Sequence, residues 1–504
     1  MPRNTSLLPI EIVADDTPTT SHAGLLPYFD LWRRLGMPEC VDSGVSICGQ
    51  QGWLDRQIVL SVALLNLAGG DCVTDMDGLE SDAGLREMLY AFERSTWNAR
   101  ERKAVAARFR SSRSRAFPAA TQISAFLEAC HDESQESARL SGKAFIPAAN
   151  DHLKSLRSLN TALVDRLQSC DPKTVATLDG DATLVETATK TALFCYEGHR
   201  AYQPYNVWWA EQQVVLHSEF RDGNVPAGHE VTRVMKEALN CLPETVTQVF
   251  VRQDTAAYQT DFLAWCEREH PKYGRLLFTI SADISRELRQ AIEKETEWKP
   301  LTRAVRGESP QVKREYAEIV FVPGAQAVLS DIREPFRYIA IRERMSAQLS
   351  LLEGDAPDQS QLPFPTMTVD KVRYKVHAIV TNRREDDAQE LIRWHYERCG
   401  KSEEAHSMMK GDFAGGQLPS AKFGANAAWW ALMILSMNLQ RMLRGLMGEG
   451  WGKKRMKAVR FALINTPGRF VRHARQFCLR VPETVAKLLH QIRTSLGRMV
   501  LAPA

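Results

Sequence analysis

The hydrophobic pattern of this chain changes period twice, which excludes any fold built from helices alone or strands alone. From about Leu25 to Arg115 the apolar residues recur at helical spacing: Leu25, Phe29, Leu31, Trp32 and Leu35, then Leu54, Ile58 and Leu65, then Leu85, Met88, Leu89 and Phe92. Past Pro172 the texture shifts to short strand-like runs at 174–185, rich in β-branched residues, then 194–196, 205–217 and 246–251, bounded by turn or polar residues. Residues 255–267 read as a helix, and strand-like pieces follow at 276–280, 317–322, 336–341 and 372–380. Helical spacing returns at 386–394, 403–410 and 425–446. The expected organisation is a helical N-terminal domain over 1–165, a mixed α/β domain over 172–440, and a basic helical segment over 441–504.

At 504 residues, with 44% hydrophobic and 25% charged, the chain has room for a sizeable core and is neither disordered nor fibrous in composition. No apolar run approaches the roughly 20 residues that span a bilayer. The N-terminus lacks the charged-then-apolar pattern of a secretory signal, so a soluble, non-secreted protein is expected. Its ten cysteines are scattered with no Cys-x-x-Cys, which signals neither a zinc ribbon nor a redox pair.

The net charge of +3 hides an asymmetry. Residues 441–504 carry 14 Lys and Arg against Glu449 and Glu483, a balance of +12, which leaves −9 for the rest. A second basic stretch, 100–115, holds seven Lys and Arg against Glu101. Such density is a footprint for polyanions. Arg469, Arg472 and Arg475 recur every three residues, which predicts one cationic stripe on a helix beginning near Pro467-Gly468.

Three acids stand out by location: Asp181 within the first strand of the β region, Asp254 at the end of a later strand, Glu403 near the start of a helix. Two-metal phosphoryl-transfer sites use carboxylates converging from separate elements on hard cations about 3.5–4 Å apart. Location alone does not select these three from 61 acids.

Four blocks in order narrow the choice: Leu178-Asp-Gly-Asp-Ala-Thr183, Arg221-Asp-Gly-Asn224, Val251-Arg-Gln-Asp254, and Tyr396-Glu-Arg-Cys-Gly-Lys-Ser-Glu403 running on to Lys410. In these the chain resembles DDE transposases of bacterial insertion sequences, in particular the branch with a Tyr…Arg…Glu…Lys signature on its last catalytic helix. The match covers roughly residues 20–475. It implies an RNase H-like mixed-sheet core with Asp181, Asp254 and Glu403 as catalytic residues and ligands of two Mg²⁺ ions, with Mn²⁺ as a substitute. Asp179 and Glu404 are the alternatives, because Asp179 and Asp181 share one face of the strand and Glu403 and Glu404 are adjacent. Asp-x-Thr favours Asp181, and spacing to Lys410 favours Glu403. The signature's Arg is expected at position 399, where this chain has Cys399; Arg398 stands one residue early.

The same resemblance implies that Tyr396, Arg398 and Lys410 touch DNA near the cleaved bond, Glu403 and Lys410 lying two helical turns apart on one face. From Asp254 to Glu403 is 149 positions, too long for the plain fold, so a β-rich insertion is expected at about 280–375. Trp298 within it is a candidate for stacking on a flipped base, with an ordinary core role as the more common alternative. His395 and His406 flank the glutamate, but hard cations prefer oxygen. Trp429 and Trp430 read as core.

The function implied is cleavage at transposon ends and joining of the 3′-hydroxyls to target DNA. Its partners are double-stranded DNA and, since two ends must be joined together, a second copy of the chain. The setting implied is the bacterial cytoplasm, at the nucleoid. A nuclease of the same core that cuts without joining, and an inactive DNA-binding relative, are the alternatives.

Overall fold

The computed structural model describes residues 17–302, 314–327, 334–345, 365–369, 372–398, 401–452, 454–473 and 476–499. After the two-residue strand β1 (Thr19–Thr20), the chain runs through helices until it reaches the central sheet. Two of these organise the rest. Helix α1 (Asp55–Ala68) is apolar on nearly every side, as its sequence DRQIVLSVALLNLA requires, and is buried from Gln57 to Leu67. It stops at Gly69, whose φ of +101° is the left-handed conformation that ends helices. Helix α2 (Asp151–Cys170), capped by the Asn150 side chain on the Leu153 amide, leads straight into the sheet.

The main sheet has ten strands. Its first part is β2 (Val175–Ala182), β5 (Tyr205–Trp209), β6 (Val214–Glu219), β7 (Gln248–Gln253) and β8 (Leu277–Ser281), in spatial order β6-β5-β2-β7-β8. The two-residue strands β3 (Val185–Glu186) and β4 (Ala201–Tyr202) pair with each other beside it. The pairs β6–β5 and β5–β2 are antiparallel, and β2–β7 and β7–β8 are parallel. An antiparallel three-strand meander whose first strand then takes parallel neighbours is the RNase H-like arrangement. Helix α3 (Val231–Asn240) lies between β6 and β7 in sequence and so makes the crossover that the parallel step needs.

The expected insertion is β-rich and extends this same sheet. Strands β9 (Lys299–Pro300), β10 (Arg314–Ile319), β11 (Arg337–Arg344), β12 (Thr366–Val369) and β13 (Val372–Thr381) continue it antiparallel as β8-β13-β11-β10-β9, with β12 also on β13. Helices α4 (Ala388–Tyr396), α5 (Lys401–Ser407) and α6 (Phe423–Leu446) follow. Helix α6 is the central prop, with Trp429 and Trp430 fully buried as expected. Its Asn438 accepts from the Val215 amide (3.0 Å) and donates to the Val215 carbonyl (2.9 Å), satisfying backbone groups that edge strand β6 would otherwise leave open.

Three local expectations are corrected. Arg469 and Arg472 lie on a strand, β14 (Gly468–His473), hairpinned to β15 (Gln476–Arg480), and not on a helix. Positions three apart on a strand fall on opposite faces, so the cationic stripe does not form; Arg475 lies outside the described residues. The helix carrying Glu403 does not run regularly to Lys410: it widens into a π turn at Met408–Asp412, which shifts the phase between the two. Residues 194–196 make one isolated bridge, Phe194 to Arg200, and no strand.

The basic C-terminal segment is built into the N-terminal helices. Strand β14 pairs with β1, and helix α7 (Glu483–Arg498) packs on the helix Leu26–Arg34, with Arg493 on Asp30 at 2.8 Å. Arg460 donates to the carbonyls of Leu67 (3.0 Å) and Asn66 (2.7 Å), which have no partner within α1 because they end it.

Candidate active site

Strands β2 and β7 run parallel with Asp179 opposite Arg252. Two residues further on come Asp181, near the end of β2, and Asp254, one residue past the end of β7. Arg398 joins them: its Nη2 is 3.3 Å from Asp181 Oδ2 and 3.7 Å from Asp254 Oδ2, and it donates to the Gly180 carbonyl (3.3 Å). The Asp254 Oδ1 accepts from the Ala256 amide (3.0 Å), which fixes that carboxylate with its other oxygen toward Arg398. Burial pushes the Asp181 carboxyl up, Arg398 pulls it down and Asp254 pushes it up again, leaving it at about 6.

Asp179 has another task. It accepts two hydrogen bonds from Arg252, 2.7 and 2.8 Å, inside the sheet, and Arg252 also donates to the Trp394 carbonyl (2.7 Å) on α4. Between the two aspartates, Gly180 leaves room for Tyr205 and Gln253: a Cβ there would lie 2.4 Å from the Tyr205 hydroxyl and 2.3 Å from the Gln253 amide nitrogen.

Helix α5 docks on this end of the sheet. His406 Nε2 lies 3.4 Å from Asn206 Nδ2, and Asn206 is the cross-strand neighbour of Asp181. Burial holds His406 down at about 4, with Lys410 and Arg398 acting the same way, so the ring is neutral. Lys410 Nζ donates to the Leu184 carbonyl (3.2 Å), just past β2. Glu403 is exposed on this helix three residues before His406, about 4.5 Å along the axis. Among the described residues no three His, Cys, Asp or Glu side chains gather closely enough to share a metal ion. Asp181 and Asp254 are thus brought together, while Glu403 stands outside them. Glu404 is exposed too, and its charge is felt by Arg444 of α6.

The sequence model of the family described as "Transposase DDE domain group 1" matches residues 8–344 and 366–500. The chain belongs to this DDE transposase family. No curated protein matches it in sequence. Among solved structures it is similar to one described as the cryo-EM structure of piggyBac transposase synaptic complex with hairpin DNA, at 9% identity and a TM-score of 0.38, covering 96% of this chain and 85% of that one.

In this DDE transposase the pair Asp181 and Asp254 fits a hard divalent cation: both offer only oxygen, and their carboxylates already share a cation, the Arg398 guanidinium. The other singled-out residues divide. Tyr396 turns toward the sheet extension, its ring stacked on His377 (5.8 Å) with the Arg314 guanidinium over it (5.4 Å). His395 is buried between Thr279 and Ser281 and held neutral, mainly by burial. Trp298 is half-buried with Arg342 on its face at 4.2 Å. In the 100–115 stretch, Arg113 pairs with Glu93, Arg115 with Asp77, and Arg108 donates to carbonyls near Gly52; Arg100, Lys103 and Arg110 remain exposed. Sequence reasoning missed Tyr205, Asn206 and Gln253. Only their proximity to Asp181 and Asp254 in sequence or pairing marks them, and the pairing is not visible in a linear chain.

Proposed function

We propose that this chain is the transposase of a bacterial insertion sequence, of the Tyr-Arg-Glu-Lys branch, acting on double-stranded DNA at the nucleoid. It cuts at the element's ends and joins the freed 3′-hydroxyls to target DNA. The observation that carries this reading is the meeting of Asp181 and Asp254 at the ends of adjacent parallel strands, with their carboxylates on one guanidinium.

Asp181 and Asp254 would hold Mg²⁺, or Mn²⁺ in its place, with Glu403 supplied by α5 as a third ligand. Bound there, a divalent ion would supply a lowered pKa for water and positive charge beside the phosphate, which is the chemistry an in-line displacement needs. The chain's own residues do the positioning. Arg398, already beside both aspartates, exchanges a carboxylate for a phosphate oxygen when DNA occupies the site. Lys410 lies at the same end of the sheet and steadies the adjoining phosphate. The exposed cations of residues 100–110 and of the C-terminal hairpin, Arg469 among them, take up the flanking duplex through its backbone. Joining two ends in one event calls for a dimer on DNA.

The test is a strand-transfer assay with a pre-cleaved 3′-hydroxyl end, a target plasmid and Mg²⁺. Joined product is expected, and Asp181→Asn and Asp254→Asn should each lower it on the order of a thousandfold, as loss of a transition-state contact does. Cutting without joining by the unaltered protein would make it a nuclease of this core. Binding with neither would make it an inactive relative.

A further inference from the structure

A second cluster of reactive groups lies away from the aspartates, at the edge strand of the sheet. His217 stands on β6, Glu237 on α3, and Cys241 just beyond the end of α3. The imidazole sits between the other two: Nδ1 is 4.0 Å from Cys241 Sγ, and Nε2 is 3.3 Å from Glu237 Oε2. All three line a cavity of about 310 Å³, whose walls include Arg157 and Thr161 of α2 and Trp430 of α6. At about 30 Å³ per water, that space holds a small molecule with room to spare.

The order Cys–His–Glu decides the chemistry. The two ring nitrogens face opposite ways, one to sulfur and one to carboxylate, so the three cannot converge on one cation, and no such group exists among the described residues. A ring held between a thiol and a carboxylate is instead arranged to take the thiol's proton and to be steadied once it carries charge. The electrostatics agree. Burial opposes a charge on His217, yet Cys241 and Glu237 outweigh it and raise its pKa. Burial pushes against a Cys241 thiolate, but His217 and Thr161 bring the thiol below its ordinary value. Burial drives Cys48 and Cys130 the other way, to about 12. His217 also holds Glu237 down, at about 2.

We propose that Cys241 is a nucleophilic thiolate paired with His217, and that the cavity admits a small hydroperoxide to it. The thiolate sulfur attacks the hydroxyl oxygen of ROOH; an S–O bond forms as the O–O bond breaks. Sulfur gives up two electrons and becomes a sulfenic acid, while the departing RO⁻ takes the proton from His217 Nδ1 and leaves as ROH. Arg157 borders the space where that negative charge develops. Charged and titratable groups face the site from each element around it: Lys154 and Arg157 from α2, His217 and Glu219 from β6, and Arg233 and Glu237 from α3. Helix α6 contributes Trp430 there, which carries no charge.

The full chain, treated with hydrogen peroxide and dimedone near about pH 6.5, reports sulfenic acid by peptide mass spectrometry. Cys241 is expected to label about tenfold faster than Cys478, an exposed thiol on β15, because thiolate fraction sets the rate. Labelling of Cys241 no faster than of Cys478 would overturn the proposal, and that comparison needs no variant. His217→Gln should bring the Cys241 rate down to that of Cys478 or below while leaving Cys478 unchanged. A Cys241 rate untouched in a folded His217→Gln protein would remove the imidazole from the account.

Discussion

Arg252 grips Asp179 through two hydrogen bonds, 2.7 and 2.8 Å, between adjacent parallel strands, and both side chains are 1% exposed. A pair this deep is costly to break from one side only, because Arg252 would keep its charge with just the Trp394 carbonyl and the more distant, exposed Glu397 (3.5 Å) to meet it. Asp179→Ala is therefore expected to destabilise the protein by about 3–5 kcal/mol. Asp181→Ala, at the open end of the same strand, should remove activity and change stability by less than about 1 kcal/mol. Urea unfolding of the two variants checks this; equal losses would contradict the division of labour between the two aspartates.

Arg398 occupies the space between the Asp181 and Asp254 carboxylates. Removing it frees that space for another cation. Arg398→Ala is expected to bind Mn²⁺ roughly fivefold to tenfold more tightly than the parent, from about 1 kcal/mol of relieved repulsion and competition. It should nevertheless join DNA ends poorly. Calorimetric Mn²⁺ titration without DNA reads the first effect, and an affinity that falls would show that the guanidinium does not compete.

Asp181 titrates at about 6, with burial as the chief cause. Protons and divalent cations compete for that carboxylate. Mn²⁺ affinity should be at its full value above that pH and weaken as pH falls through it, by roughly tenfold per pH unit for one displaced proton. Titrations between about pH 7.5 and about pH 5 test the sign and the midpoint. An affinity flat across that range would take Asp181 out of the ligand set.

Gly180 separates the two aspartates because Tyr205 and Gln253 fill the place a side chain would take. Gly180→Ala should cost about 1–3 kcal/mol, the usual range for overpacking. Adding Gln253→Ala should recover part of that loss, since it clears the nearer obstacle. Denaturation of the single and double variants gives the answer, and no recovery would place the strain elsewhere.

Much of the sheet is legible from period and composition: β2, β7 and β8 stand where strand-like runs lie between turn residues, whereas the single run expected at 205–217 folds into two strands, β5 and β6, about a turn at 210–213. The junction of β2 and β7 is written in the numbering as well. Asp179 to Arg252, paired in the parallel register, and Asp181 to Asp254, just beyond its last pair, are both 73 positions apart. Three-residue spacing misleads at Arg469 and Arg472 because it takes no account of Phe470 on their own strand and of Phe477 and Leu479 on the next, which build a hairpin. Trp298 is covered by Arg342, 44 positions later, and no local pattern announces such a partner. The π turn after α5 is equally silent, since Met408–Asp412 carries ordinary helix-compatible residues on either side of Gly411.

Strand β1 finds its only described sheet partner in β14, and α1 has its last carbonyls covered by Arg460. During synthesis, then, the N-terminal helices emerge with a sheet edge that stays wet until some 450 further residues have been added, and a helix end that waits for some 390. Final closure of that part is a late event, reserved for a chain whose main sheet has already been made.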